Sequence, residues 1–145
     1  MEKKFKKVLS MAIRKGKNKI IIIDDDEDLL ELLDVSFKAQ GFETHKISNG
    51  KEALHYLLKE ENTKSACLII LDRMLGDMEG LDVLRKYEEK FHNHLPVLIL
   101  SVLSAEKDVI EGFKKGAVDY ITKPFSIPIL MNKAISLISQ STRGE

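Results

Sequence analysis

Residues 20–28 read IIIIDDDED, four isoleucines followed directly by an unbroken acidic run. A run of β-branched side chains that is apolar at every position is typical of a strand buried on both faces, as in a parallel sheet covered by helices. Carboxylates that follow such a strand lie at its carboxyl end, where ligand sites of parallel sheets form. This stretch therefore predicts a central strand and a functional edge.

Short apolar runs recur along the chain, separated by segments with helical spacing. The predicted strands are KIIII (19–23), FETHKI (42–47), ACLIIL (66–71), PVLIL (96–100) and AVDYI (117–121). KIIII, CLIIL and PVLIL are apolar on both faces and are expected at the centre of a sheet, whereas the alternating FETHKI is expected at an edge. The pattern predicts an α/β fold, a doubly wound five-stranded parallel sheet flanked by five helices.

Helix boundaries carry their own signals. Gly41 and Gly116 are expected to end helices, Asn49-Gly50 is expected to begin one, and Pro128 is expected in the first turn of the last helix. We therefore place one domain at residues 19–140, between an extension at residues 1–18 and a short tail at residues 141–145.

The composition is that of a globular protein, with 43% hydrophobic and 32% charged residues among 145. No apolar run approaches the roughly 20 residues that span a bilayer, and the basic start lacks the features of a secretion signal. We therefore expect a cytoplasmic protein. The formal net charge of zero hides a division, because residues 1–19 carry +7 and residues 20–145 carry −7.

The basic extension is predicted to be an amphipathic helix. If residues 1–15 are helical, most lysines share one face and apolar residues share the other, namely Met1, Phe5, Val8, Leu9, Ala12 and Ile13. Such a helix can lie on an anionic membrane surface, dock to a partner or link to another module. Packing against its own domain or a neighbouring copy is the alternative, and the sequence leaves these open.

Polar residues follow the predicted strands and should meet at one edge of the sheet. They are Asp24, Asp25 and Asp26 after the first strand, Asp72 after the third, Ser101 after the fourth and Lys123 after the fifth. Carboxylates that converge from separate strands repel each other unless a divalent cation lies among them. All-oxygen ligands suit Mg2+ or Mn2+, and a hydroxyl and a lysine nearby would satisfy the oxygens of a phosphoryl group.

Four segments, taken in order, resemble the receiver domain of two-component response regulators. They are IIIIDDDEDLLELL (20–33), LIILDRMLGDMEGLDVL (68–84), PVLILS (96–101) and GAVDYITKPF (116–125). The resemblance spans about residues 19–140 and implies a flavodoxin-like fold of the receiver type. It also implies a phosphoacceptor that assists its own phosphorylation and dephosphorylation, rather than an enzyme.

The resemblance implies a role for each residue at the edge. Asp72 would take a phosphoryl group from a phosphohistidine of a histidine kinase or phosphotransfer protein, by in-line transfer. Asp24, Asp25 and Asp72 would hold Mg2+ together with the backbone carbonyl of Met74. Lys123 would pair first with the acceptor carboxylate and then with the phosphoryl oxygens.

Two further residues would form the switch. The resemblance implies that Ser101 hydrogen-bonds the phosphoryl group and that Tyr120 follows it inward as the switch aromatic. The surface of the fourth helix, fifth strand and fifth helix of the domain would then control a partner or an output domain.

The acidic run leaves its register open, because a shift by one residue would select Asp25 and Asp26 for the metal. We favour Asp24 and Asp25, since Ile23 then remains the last strand residue and the helix pattern follows without a gap. Asp26 and the acids after it would then charge the first turn of a helix, where the helix dipole favours anions.

Four positions near the site depart from the common family pattern. Val102 adds bulk where a small residue is usual, and we expect it to slow the entry of phosphodonors. Met74 and Leu103 stand where polar residues often tune hydrolysis, so we expect a long-lived phosphoaspartate. Gly76 replaces a frequent proline and is expected to make the acceptor loop more mobile.

The output is less defined than the chemistry. Val118, Asn132 and Lys133 differ from the residues with which the transcription-factor subfamily dimerises, which weakens the case for that dimer and leaves other dimers open. The chain acts either alone on a downstream effector protein or as one piece of a larger protein with an output domain. We expect no direct binding of this chain to nucleic acid.

Two other functions stay open. The acids at residues 24–28 also fit the Asp-x-Asp opening of haloacid-dehalogenase-like phosphatases, and Gly76-Asp77 with Asp82 resembles their later acidic motif. In that family, however, the later Gly-Asp directly follows a strand. The other alternative is a receiver fold that serves as a phosphate-independent binding module.

Overall fold

The computed structural model describes residues 2–91, 95–114 and 119–143. The helices are α1 (Glu2–Arg14), α2 (Glu27–Ala39), α3 (Gly50–Leu57), α4 (Glu60–Thr63), α5 (Gly80–Lys90), α6 (Glu106–Lys114) and α7 (Ile127–Arg143). The strands are β1 (Lys19–Ile23), β2 (Glu43–Ile47), β3 (Ala66–Asp72), β4 (Val97–Ser101) and β5 (Asp119–Thr122). They form one parallel sheet in the order β2-β1-β3-β4-β5. The predicted doubly wound fold is confirmed, with β2 at an edge and the three apolar strands inside.

The isoleucines of β1 show how the sheet divides the core. Ile20 and Ile22 pack into the layer that holds α1, α2 and α7. Ile21 and Ile23 pack into the layer that holds α3 and α5. Because successive strand residues face opposite sides, a strand of isoleucines alone must be covered on both faces.

Several helix boundaries follow from single side chains. The Asn49 side chain accepts a hydrogen bond from the Glu52 N–H and caps α3. Gly41 follows α2 with a φ of 99°, a conformation that favours glycine. Pro128 lies in the first turn of α7. The expectations for Gly116 and Val118 fall outside the described residues.

The N-terminal extension forms α1 and packs on its own domain. Phe5, Val8 and Ala12 are buried and join the core layer of α2 and α7. Ile13, which we expected on the apolar face, is instead 54% exposed, because it lies about 100° around the helix from Ala12. Met1 lies outside the described residues. The apolar face of α1 is therefore covered by the domain, and the exposed face is rich in lysine.

One helix is absent from the predicted pattern. The single-turn α4 follows α3 directly and spans only four residues, too few to show a helical period in the sequence. No helix in the described part of the chain is long and apolar enough to cross a membrane.

Candidate functional site

Three carboxylates meet at the carboxyl ends of β1 and β3. One oxygen each of Asp24, Asp25 and Asp72 lies within 4.8 Å of the others. Asp24 and Asp72 are buried, at 0% and 5% exposure, and Asp25 is exposed. Since β1 and β3 are the neighbours at which the strand order reverses, the cluster lies where a doubly wound sheet forms its ligand site.

Lys123 reaches this cluster from the far edge of the sheet. Its Nζ lies 3.0 Å from Oδ2 of Asp24 and 3.1 Å from Oδ2 of Asp72. Burial by itself lowers the pKa of Lys123, but the hydrogen bonds and charges of the two aspartates outweigh it and raise that pKa above its ordinary value. The two aspartates therefore stabilise the positive charge of Lys123.

The acceptor candidate is held by both of its oxygens. Oδ1 of Asp72 accepts a hydrogen bond of 3.1 Å from the backbone N–H of Met74, while Oδ2 faces Lys123. The net effect of its surroundings raises the pKa of Asp72 to about 6, and burial is the largest cause. The Met74 N–H opposes that rise, the neighbouring charge of Asp24 adds to it, and Lys123 opposes it.

The donor set of the cluster fits a hard divalent cation. The three carboxylates and Lys123 carry a formal net charge of −2. Only oxygen atoms are offered by the aspartates, and Mg2+ and Mn2+ prefer such ligands. One divalent cation would match the charge that the lysine leaves uncompensated.

Asp26 lies outside the cluster and has a different task. Its Oδ1 accepts hydrogen bonds from the N–H groups of Asp28 at 3.1 Å and Leu29 at 3.2 Å, so it caps α2. Its own N–H donates to Oδ1 of Asp24 at 2.9 Å. The structure thus brings Asp24 and Asp25, rather than Asp26, together with Asp72.

The two switch candidates meet through one backbone segment. Ser101 ends β4, and its Oγ accepts a hydrogen bond of 3.0 Å from the N–H of Leu103. The Tyr120 hydroxyl donates to the carbonyl oxygen of Leu103 at 2.8 Å, and the ring is buried. Because Asp72 pairs with Leu100 in the sheet, Ser101 extends one residue beyond the level of the acceptor.

The positions that depart from the family pattern differ in exposure and in backbone conformation. The side chains of Met74 and Val102 are exposed, at 52% and 65%. Gly76 has a φ of 78°, which the ring of a proline forbids. Proline is frequent at this position in related proteins. It could not adopt the backbone conformation that this loop has at Gly76.

Two charged residues of the acceptor loop have contacts that the receiver resemblance did not predict, and Asp77 had a predicted role only in the phosphatase alternative. Asp77 accepts hydrogen bonds from the N–H groups of Gly50 at 2.8 Å and Lys51 at 3.0 Å, and these bonds lower its pKa. It holds the start of α3 rather than joining the acidic cluster. Arg73 is buried directly after Asp72, and a lone arginine behind a strand carries no pattern from which its contacts could be predicted.

Comparison with known proteins decides the family. A family model described as the response regulator receiver domain matches residues 20–135. The chain belongs to this family. It is the receiver domain of a two-component response regulator, and the phosphatase alternative gains no support.

The relatives of this receiver domain are both regulators and isolated receivers. The transcriptional regulatory protein SrrA of Staphylococcus aureus is 42% identical over 130 residues, which cover 88% of this chain and 52% of that protein. The chain therefore spans about half the length of the curated relatives it matches. The receiver domain of the Francisella response regulator 1452 is 33% identical with a TM-score of 0.75, covering 86% of this chain and 99% of that one.

A second solved structure similar to this receiver domain is the BeF3-activated receiver domain of DrrB. It is 28% identical with a TM-score of 0.72, and the match covers 85% of this chain and 98% of that one. A CheY-like receiver from Methanospirillum hungatei, 22% identical with a TM-score of 0.80 over 89% of this chain and 99% of that one, supports the fold alone.

Proposed function

We propose that this receiver domain accepts a phosphoryl group on Asp72 from a phosphohistidine of a histidine kinase or phosphotransfer protein. The observation that carries the proposal is the position of the Asp72 carboxylate, fixed between Lys123 and the Met74 N–H within the acidic cluster. A nucleophile held in one orientation avoids much of the entropic cost of bringing two reactants together.

The transfer itself is a substitution at phosphorus. An oxygen of Asp72 forms the new P–O bond, and the P–N bond to the donor imidazole breaks in line with it. Lys123 then pairs with the phosphoryl oxygens. Ser101 is free to donate its hydroxyl hydrogen to them, because its oxygen acts as the acceptor in the bond with Leu103.

The proposed cofactor is Mg2+, with Mn2+ as an alternative. Asp24, Asp25 and Asp72 would hold it with the backbone carbonyl of Met74, and the formal charge of the cluster supports this assignment. When bound, the cation supplies charge neutralisation for the carboxylates and the incoming phosphoryl group. In this role the chain is a phosphoacceptor that assists its own phosphorylation and dephosphorylation rather than a turnover enzyme.

The proposed output surface is formed by α6, β5 and α7. The Ser101–Leu103–Tyr120 connection supports this, since it joins the site to β5 and to the segment before α6. SrrA is a transcriptional regulatory protein about twice as long as the region that this chain matches. We propose that the surface controls either an output domain or a separate effector protein in the cytoplasm.

The role proposed for α1 is narrower than its sequence suggests. Its apolar residues Phe5, Val8 and Ala12 are buried in the domain, so contact with a membrane surface, a partner or a second copy would use the exposed lysines. Exchange of the exposed Lys3, Lys6 and Lys7 for glutamine keeps the buried face of α1 intact, and liposome binding and the oligomeric state of this variant test these contacts.

The function is tested by incubation with Mg2+ and acetyl phosphate. Intact-mass measurement should show one acyl phosphate per chain, absent in Asp72→Asn and retained in Asp77→Asn. The second variant is a matched control, since Asp77 lies in the same loop outside the cluster. Turnover of the donor without an adduct would favour a phosphatase, and neither reaction would favour a phosphate-independent module.

A further inference from the structure

Arg73 is the residue directly after the proposed acceptor, and its side chain is only 6% exposed. Arginine is rarely buried without partners, and the partners here lie on other elements. Nη1 donates to the backbone carbonyl oxygen of Asp108 at 2.7 Å, and Nη2 lies 3.0 Å from Oε1 of Glu111. Both partners belong to α6, so the guanidinium ties this helix to the residue beside Asp72.

The backbone of Arg73 is fixed as firmly as its side chain. Its N–H donates to the carbonyl of Leu100 in β4 at 2.8 Å, and its carbonyl accepts from the N–H of Gly80 at 2.6 Å. A Cβ at Gly80 would lie 2.1 Å from the carbonyl oxygen of Asp72, which shows how closely α5 approaches this segment. Movement of residue 73 therefore requires movement of β3, the strand that ends at Asp72.

The same guanidinium reaches the switch tyrosine. Nη1 of Arg73 lies 3.4 Å from the Tyr120 hydroxyl oxygen, a long hydrogen bond in which the hydroxyl accepts. The hydroxyl gives its own hydrogen to Leu103, so both of its hydrogen-bonding roles are filled while the ring is buried. The ring also lies against α6, where a Cβ at Gly112 would be 3.1 Å from Cδ2 of Tyr120.

These contacts form a continuous chain of hydrogen bonds from Ser101 to Arg73 around the end of β4. Ser101 accepts from Leu103, Leu103 accepts from Tyr120, and Tyr120 accepts from Arg73, which is covalently joined to Asp72. The Glu111 side chain is 51% exposed, so solvent screens this ion pair and it contributes little by itself. The buried hydrogen bond to the Asp108 carbonyl positions α6, and the contact with the Tyr120 hydroxyl positions the Tyr120 ring.

We propose that Arg73 is a positioning residue of the switch, which holds Tyr120 inward and α6 against the sheet before any phosphoryl group is bound. The output surface is then partly preformed, and phosphorylation acts on a population already biased toward it. The consequence for phosphorylation rests on the proposed function, whereas the positioning is measurable in the unmodified protein.

The positioning is tested with Arg73→Met, which keeps the apolar stem and removes the donors. The chain contains three tyrosines, Tyr56, Tyr87 and Tyr120, so 3-fluorotyrosine labelling gives three fluorine resonances, and Tyr120→Phe assigns the one in question. In Arg73→Met we expect the Tyr120 resonance to move toward the chemical shift of a solvent-exposed fluorotyrosine. Amide hydrogen exchange in α6 should accelerate by about tenfold.

The matched control is Arg85→Met. Arg85 pairs with Glu89 on the exposed face of α5, so its loss should change neither the Tyr120 resonance nor exchange in α6. Arg73→Lys keeps one cation with fewer donors and should give an intermediate shift. It also replaces Arg73→Met if that variant does not fold.

The second readout separates this proposal from the proposed function. With acetyl phosphate and Mg2+, Arg73→Met should reach the same acyl-phosphate stoichiometry as the parent at an initial rate lower by about threefold. An unchanged Tyr120 resonance and unchanged α6 exchange in the variant would overturn the positioning role, whatever the rate. Failure of the parent protein to form acyl phosphate would overturn the proposed function and leave the positioning result standing.

Discussion

The Asp72 carboxylate is buried, which disfavours its ionised form, yet its proposed role needs that form. Its pKa is raised to about 6, chiefly by burial, whereas the proposed attack on phosphorus requires the ionised form. The Met74 N–H and Lys123 stabilise that form. The arrangement keeps the carboxylate desolvated, oriented and ionised near neutral pH, which an exposed aspartate would achieve only in part.

Asp24 and Asp26, which are two residues apart, should differ in function. Alanine at 24 removes a buried member of the cluster and should abolish Mg2+-dependent labelling by acetyl phosphate. Alanine at 26 removes the cap of α2 and should spare labelling while lowering the free energy of unfolding by about 1 kcal/mol. Labelling assays and urea denaturation of both variants check this, and the reverse pattern would assign the metal to Asp26.

The apolar side chains of Met74 and Leu103 should make the phosphoryl group long-lived. Neither Met74 nor Leu103 can orient an attacking water, so the parent should lose its acyl phosphate more slowly than a variant with Met74→Asn and Leu103→Glu. The measurement is the decay of labelled protein after the phosphodonor is removed. Equal decay rates for the two proteins would refute the expectation.

Among the elements, β1 was predictable because its signal is local. Every position of IIII requires burial, and the acids behind it must lie at the strand end. Contacts that join distant segments had no such signal. Asp77 at the start of α3, Arg73 against α6 and the packing of α1 all depend on which surfaces meet in three dimensions.

The pairing of α2 with β2 includes a second buried carboxylate. Asp34 is 3% exposed, accepts a short hydrogen bond from the Thr44 hydroxyl, and lies 3.2 Å from Nζ of Lys38 and 3.6 Å from Nζ of Lys46. Burial by itself raises the pKa of Asp34, but these three partners outweigh it and lower that pKa below its ordinary value. A carboxyl with a lowered pKa stabilises the fold when ionised.

Asp34→Ala should therefore lower the free energy of unfolding at neutral pH by about 2 kcal/mol. The stabilisation by Asp34 is complete above the unfolded pKa near 3.9 and is lost as the pH falls through the lower folded value, so the difference should shrink below about pH 4. Urea denaturation across pH checks this. Glu31→Gln, at an exposed ion pair with Lys46, is the control and should cost less than about 1 kcal/mol. A difference independent of pH would contradict the assignment.

At the scale of the whole molecule, α1 is part of the core. Phe5→Ala should lower the free energy of unfolding by about 3 kcal/mol or more, since Phe5 is 3% exposed. Ile13→Ala on the same helix should stay within about 0.5 kcal/mol, because that side chain is largely exposed. Thermal or urea unfolding compares them, and equal small effects would mean that α1 does not pack on the domain in solution.

The fold and the members of the site followed from the sequence because parallel strands deliver their carboxyl ends to one edge. The sequence alone did not decide which two of Asp24, Asp25 and Asp26 belong to the cluster, since all three carry the same side chain. Hydrogen bonds of Asp26 to the first turn of α2 separate it from the other two. The sequence also could not predict which surface α1 packs against, because an amphipathic pattern does not identify the partner of the apolar face.

The central claim is that one phosphoryl group is carried by Asp72, and chemical trapping tests it most directly. The protein is labelled with acetyl phosphate and Mg2+, reduced with borohydride, digested and sequenced by mass spectrometry, which converts an acyl-phosphorylated aspartate to homoserine. We predict homoserine at position 72 alone and at no other aspartate. An unmodified Asp72, or homoserine at Asp24 or Asp77 instead, would contradict the account.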